Sequence, residues 1–273
     1  MFGRAPARAI LYLVALYYTL ASSQVRRAVT SFRGRLGVST GFGATYRTVL
    51  RFAQCSLDAL FQLRGMTKHF RVERNGHEIL GELRETGTSA ILLGAHLGSI
   101  HAMRSQSRDE ALPVVPVVYT KNARRFNRVL EELDPTSTTR LIEIGDGDDM
   151  DFMLAIRERA ESGALIAILG DRTQPGAKTV DVDFLGAKAQ VPAGPYILAA
   201  TLRLPVYFTV GIYRGGADYE FFCIPFADRI VLPRGKRQEA IAEYAQKYAD
   251  LLTEFCRKEP DNWFNFFDFW SGQ

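Results

Sequence analysis

The chain has 273 residues, 47% of them hydrophobic and 23% charged, which suits a globular protein with one large α/β core or two small ones. Its 34 Lys and Arg against 30 Asp and Glu leave a net charge of only +4, too mild for a nucleic-acid binder but compatible with an acidic partner or an anionic bilayer. Cys55, Cys223 and Cys256 lie far apart in apolar surroundings and form no metal-like spacing, so they read as reduced core residues of a cytoplasmic protein.

Residues 9–21 (AILYLVALYYTLA) carry no charge and no helix breaker. As a helix this run spans ~20 Å, short of the ~30 Å bilayer core. Tyr12, Tyr17 and Tyr18 favour a helix lying in or dipping into the membrane interface. A cleaved signal peptide and a buried core helix are the alternatives. Arg4, Arg8, Arg26, Arg27, Arg33 and Arg35 all precede the first acidic residue, Asp58, and a one-signed arm of this kind suits a lipid surface. Residues 1–38 are therefore expected to form a membrane-associating arm and 39–273 the main domain.

Residues 40–63 have Val49, Leu50, Ala53, Leu57, Leu60 and Phe61 at helical spacing. The run 89–95 (SAILLGA) predicts a buried strand, 114–119 (VVPVVY) a second with Pro116 hinting at an edge or bulge, and 165–170 (LIAILG) a third. Helices are expected over 124–133, 149–161, 192–202 and 238–257. Residues 179–185 alternate as a strand does and Gly186 turns the chain, while 205–213 and 219–225 pair around Gly215-Gly216. Strands alternating with helices predict a single α/β domain with a largely parallel or mixed central sheet, and active sites of such sheets collect at the strands' C-terminal ends.

His96 directly follows the strand 89–95, in the sequence Gly94-Ala95-His96-Leu97-Gly98-Ser99-Ile100-His101. A strand end gives an imidazole rigid support and an exposed edge, as a general base needs, and Gly94 and Gly98 are expected to leave room for substrate beside Ser99. His101, five residues on, is poorly placed to share a metal with His96 on a helix, so no metal is expected. Lys121, Arg124, Arg125 and Arg128 form a basic cluster suited to an acidic partner, phosphates or lipid headgroups, or are simply a solvated helix face. Gly194 and Pro195 shape the entry to a helix. Residues 145–149 (GDGDD) lack calcium-loop spacing and read as a helix cap. The aromatic run 263–270 (WFNFFDFW) fits a membrane belt, the wall of an apolar groove or a lid on the core.

His96 with His101, Gly170-Asp171-Arg172 after a strand and the segment 184–195 (FLGAKAQVPAGP) together resemble the lysophospholipid acyltransferase superfamily, closest to its lipid A biosynthesis (lauroyl/myristoyl) branch. The ending 263–270 is similar to acyltransferases associated with aryl polyene pigment clusters. The resemblance covers roughly residues 10–270. It implies a glycerolipid acyltransferase-like fold, direct attack of an acceptor on an acyl carrier protein or coenzyme A thioester, no other cofactor, and residence on the cytoplasmic face of the bacterial inner membrane. It also implies His96 as base, an orienting carboxylate five residues later, and an Asp171–Arg172 pair in the cleft, where Arg172 clamps a phosphate or stabilises an oxyanion. Taken alone, that pair is equally an ordinary surface ion pair.

The departure is His101, which stands where the family places Asp or Glu. A neutral imidazole can fix the tautomer of His96 but cannot stabilise a positive charge on it. Three readings stay open: another carboxylate such as Asp171 folds into the gap, a His96–His101 pair works on an easier acceptor, or the site is dead and the protein binds lipid or acyl carrier without turnover. A thioesterase needs only water in place of the acceptor, although no G-x-S-x-G elbow occurs.

Overall fold

The computed structural model describes residues 3–118, 142–143, 149–173 and 176–270. Three helices come first: α1 (Arg4–Ala21), α2 (Ser23–Arg35) and α3 (Phe42–Leu63). Strands and helices then alternate as β1 (Arg71–Asn75), α4 (His77–Thr86), β2 (Ala90–Gly94), α5 (Ile100–Asp109), β3 (Val114–Val118), β4 (Ile142–Glu143), α6 (Asp149–Glu161) and β5 (Leu165–Leu169). The chain continues with β6 (Thr179–Phe184), β7 (Ala187–Pro192), α7 (Gly194–Leu202), β8 (Val206–Gly215), β9 (Asp218–Ala227) and α8 (Arg237–Lys258).

Seven strands form one mixed sheet in the order β1-β9-β8-β2-β5-β3-β4, with only β8 and β9 antiparallel. Every residue of β2 is buried because both faces are covered, which is why it reads as an unbroken apolar run. Ile91 and Leu93 join the large core with α8, while Ala90 and Leu92 meet Leu83 of α4. Pro116 sits where one side is open, as expected of an edge position: β3 pairs it with Ala167 of β5, and among the described residues the short pairing with β4 on the other side starts only at Val117. The strands β6 and β7 form a separate hairpin whose two-residue loop, Leu185-Gly186, has both residues at positive φ.

The buried face of α3 is mixed, with Ala44, Val49, Cys55, Ala59 and Leu63 inside beside polar residues. Thr45, Thr48, Gln54, Asp58 and Gln62 point inward, while Leu50, Leu57, Leu60 and Phe61 are half-buried. The helix lies between the domain and α1, so its apolar stripe is shared with a helix that is itself largely exposed.

The apolar helix α1 is not buried core. Leu13 is 70% exposed and Tyr17 65%, and Ile10, Tyr12, Tyr18 and Leu20 are also exposed. Among the described residues no helix is long and apolar enough to cross a membrane. The arginine arm, by contrast, is mostly turned inward. Arg4 and Arg8 pair with the fully buried Asp58, and Arg33 pairs with Asp261. Arg26 closes the end of α1 on the carbonyls of Thr19 and Leu20, and Arg35 lies over the ring of Trp270. Only Arg27 and Arg35 keep exposed side chains. The one-signed arm was expected to suit a lipid surface; carboxylates, an aromatic ring and helix-end carbonyls engage most of its charges.

Gly98 turns the chain from β2 into α5. Its φ is +71°, its N–H donates to the Asn262 carbonyl at 2.8 Å, and a Cβ there would sit 2.0 Å from the carbonyl oxygen of Gly211. Left-handed strain and overlap with backbone add, so Gly98→Ala is expected to cost about 3 kcal/mol or more in chemical denaturation. The glycine thus admits the backbone of β8; the space expected for substrate is filled by protein.

Candidate active site

The parallel register of β2 and β5 pairs Gly94 with Leu169. Two residues beyond those partners stand His96 and Asp171, so the sheet's own register delivers a histidine and a carboxylate side by side at its C-terminal edge. The strand ends are locked together. The Gly94 carbonyl accepts from the Gly170 N–H and from the Tyr248 hydroxyl, each at 3.0 Å. A Cβ on Gly170 would lie 2.9 Å from Leu93 Cδ1.

Asp171 is fully buried. Its Oδ1 lies 2.9 Å from His96 Nδ1, while Oδ2 accepts the His96 backbone N–H at 3.0 Å and Asn265 Nδ2 at 2.8 Å. Burial alone would raise its pKa, but His96, Arg172 and Asn265 outweigh that and hold it at about 2. An ionised carboxylate only accepts, so in the neutral imidazole of His96 it is Nδ1 that carries the hydrogen and Nε2 the lone pair. The His96 side chain is 24% exposed, which leaves the ring reachable from outside. Proton abstraction from an incoming hydroxyl or amine is the chemistry this arrangement suits.

His101 sits in the first turn of α5, half-buried. The group on His96 Nδ1 is the carboxylate from β5. Burial, and then the charges of Arg104 and His96, push the His101 pKa down to about 4. At neutral pH it is therefore uncharged and adds no positive charge against His96. A depressed histidine gives stability that is complete above its unfolded pKa of about 6.5 and lost as pH falls toward the folded value. His101→Gln should therefore flatten the decline in unfolding free energy between about pH 6.5 and 4, checked by urea titrations across that range.

Arg172 is exposed, but its guanidinium is tethered. Nε donates to Asn265 Oδ1 at 2.6 Å, Nη2 donates to the Phe264 carbonyl at 3.2 Å, and the group lies 5.7 Å from the Phe267 ring centroid. His96, Asp171 and Arg172 thus come together. The Ser99 hydroxyl accepts from the Ala102 N–H as the cap of α5, and the side chain is 3% exposed, so the structure gives Ser99 a helix-capping contact where substrate contact was expected. Lys121, Arg124, Arg125 and Arg128 lie outside the described residues, as do the helix expected over 124–133 and residues 145–148. A cavity of about 200 Å³ opens elsewhere, between β8, β9 and the end of α8, lined by Arg214, Glu254 and Lys258 among others and by neither His96 nor Asp171.

Two asparagines escaped the sequence reading. Asn265 bridges Asp171 and Arg172, and Asn262 holds β8 through both the N–H and the carbonyl of Tyr213. Both lie in or beside the aromatic run, whose Trp263, Phe264 and Phe269 are buried in the core. A polar amide between buried rings must find partners, and that was the available clue.

No curated protein matches the chain at a significant level. Residues 62–271, which include the whole His96–Asp171–Asn265 cluster, match the family model of bacterial lipid A biosynthesis acyltransferases, and the chain belongs to that acyltransferase family.

Proposed function

We propose that the protein transfers a fatty acyl chain from an acyl carrier protein or coenzyme A thioester to a hydroxyl or amine of a lipid, glycolipid or pigment headgroup, with His96 as general base. The observation that carries this is the 2.9 Å contact between His96 Nδ1 and Asp171 Oδ1. It leaves Nε2 to take the acceptor's proton as the acceptor oxygen or nitrogen attacks the thioester carbonyl. The C–S bond then breaks, and the departing thiolate takes the proton from Nε2. Asp171 orients the imidazole and offsets its transient positive charge. Arg172, fixed beside the dyad, stabilises the developing oxyanion or a phosphate of the substrate. A working carboxylate partner favours turnover over the degenerate reading that His101 raised.

The proposed site of action is the cytoplasmic face of the inner membrane. The exposed apolar side of α1, with tyrosines along it, suits a helix lying in the headgroup region.

The test is incubation of the purified protein with radiolabelled lauroyl-acyl carrier protein or lauroyl-coenzyme A, with and without vesicles of bacterial inner-membrane lipid. Label moving into the lipid fraction, and only with vesicles present, supports transfer. Release of free laurate at the same rate without vesicles would make the protein a thioesterase instead.

A further inference from the structure

We infer that Asn265 is a positioning residue of the catalytic dyad, setting the orientation of both Asp171 and Arg172; the inference rests on His96 acting as base. Asn265 is 2% exposed and stands between two side chains of opposite charge. Its amide nitrogen donates to Asp171 Oδ2 at 2.8 Å, and its amide oxygen accepts from Arg172 Nε at 2.6 Å. Those partners fix the amide's orientation without ambiguity, because a carboxylate only accepts and a guanidinium only donates.

The consequence is geometric. Asp171 has two oxygens, and His96 Nδ1 lies 2.9 Å from Oδ1 and 3.2 Å from Oδ2. With Oδ2 engaged by Asn265 and by the His96 backbone N–H, the carboxylate cannot swing about its Cβ–Cγ bond, and Oδ1 stays facing the ring. The same amide draws Arg172 back against the Phe264 carbonyl, so the guanidinium sits beside Asp171 without forming the direct pair that would pull the carboxylate off the histidine. A direct Asp171–Arg172 ion pair is the competing arrangement for two adjacent residues of opposite charge, and Asn265 separates them.

The position of Asn265 is itself secured by the two residues before it. Its neighbour Phe264 donates its backbone N–H to the His96 carbonyl at 3.1 Å, and Trp263 bridges to Leu97. The C-terminal segment therefore runs alongside the His96 turn and forms part of the site's frame.

Two variants separate positioning from mere structure. Asn265→Leu keeps the size and removes both bonds. Asn265→Asp keeps the shape and the acceptor for Arg172 but sets a second carboxylate against Asp171. Two carboxylates in contact share a proton, and the pair's upper apparent pKa rises. The Asn265→Asp to native ratio of lauroyl transfer, measured with lauroyl-acyl carrier protein and inner-membrane lipid vesicles, should therefore climb as pH falls from about 7 to about 5, because the protonated carboxyl restores a donor to Asp171. Asn265→Leu should lower kcat by about 10–100-fold, with KM changed less than about threefold, by analogy with losses from residues that orient a reacting ligand. In both variants, ¹⁵N spectra of His96 should show the ring proton spread over Nδ1 and Nε2, where the native protein holds it on Nδ1.

A His96 ring that keeps its Nδ1 proton in both variants, with a pH-independent activity ratio, overturns the inference even if activity falls, since that is how a purely structural residue behaves. If Asn265→Leu does not fold, Asn265→Asp decides alone. Full transfer by His96→Ala would sink the general-base reading, whereas the tautomer measurement needs no turnover and judges Asn265 separately.

Discussion

Asp171→Asn is expected to lower acyl transfer by about 10⁴-fold while the protein folds normally, and His101→Ala by no more than about tenfold. The asymmetry follows from what each residue touches. The Asp171 carboxylate accepts the His96 Nδ1–H and the His96 backbone N–H. An amide in its place turns its NH₂ toward the ring, drives the imidazole proton to Nε2 and removes the lone pair that must receive the acceptor's proton; the analogous change in a serine protease triad costs about that much. The resemblance implied an orienting carboxylate at the position of His101, yet the contact with Nδ1 belongs to Asp171. Initial rates with labelled thioester separate the two variants. Equal losses at 171 and 101 would mean that the histidines act as a pair.

The second large effect is expected in stability. The fully buried Asp58 accepts Nε and Nη2 of Arg4, each at 2.8 Å, as well as the Tyr219 hydroxyl at 2.9 Å, and Arg8 Nη1 stands 3.3 Å away. Arg4 also lies over Phe70, and Arg8 over Tyr213, so both guanidinium groups are partly desolvated. Asp58→Ala takes the carboxylate from two partly buried cations and the acceptor from the Tyr219 hydroxyl, and should cost about 3–5 kcal/mol, the range for breaking a buried ion pair from one side. Arg4→Ala should cost less, because Arg8 still faces the carboxylate. Denaturant unfolding measures the loss, and limited proteolysis should show α1 becoming the first segment cut. An unchanged unfolding midpoint would mean that the arginines contribute nothing to holding α1.

Much of the sheet was legible because its central strands are buried on both faces: the runs 89–95 and 165–170 could be nothing else at that length, and they became β2 and β5. The elements that escaped share a physical reason. In α5, the buried residues Ala102, Ser105 and Gln106 present no apolar period, and in α4 only Leu83 is buried. The edge strand β1 reads Arg-Val-Glu-Arg-Asn, polar as an exposed edge requires. The turn at Gly186 was legible, but β7 beyond it was not, because its sequence Ala-Lys-Ala-Gln-Val-Pro has few strand formers.

In the site, His96 and Arg172 were visible as strand-end residues. The partnership of His96 with Asp171 was only one of three open readings, since sequence distance hides what strand register brings together. The basic arm misled for a related reason: charge counts along a chain do not reveal which arginines meet a buried carboxylate such as Asp58.

The most direct test compares transfer of label from lauroyl-acyl carrier protein into membrane lipid by the native protein, His96→Ala, Asp171→Asn and His101→Glu. The account predicts product from the native protein, loss with His96→Ala and with Asp171→Asn, and no gain with His101→Glu, because the carboxylate is already in place. Product from His101→Glu alone, with a silent native protein, would contradict it.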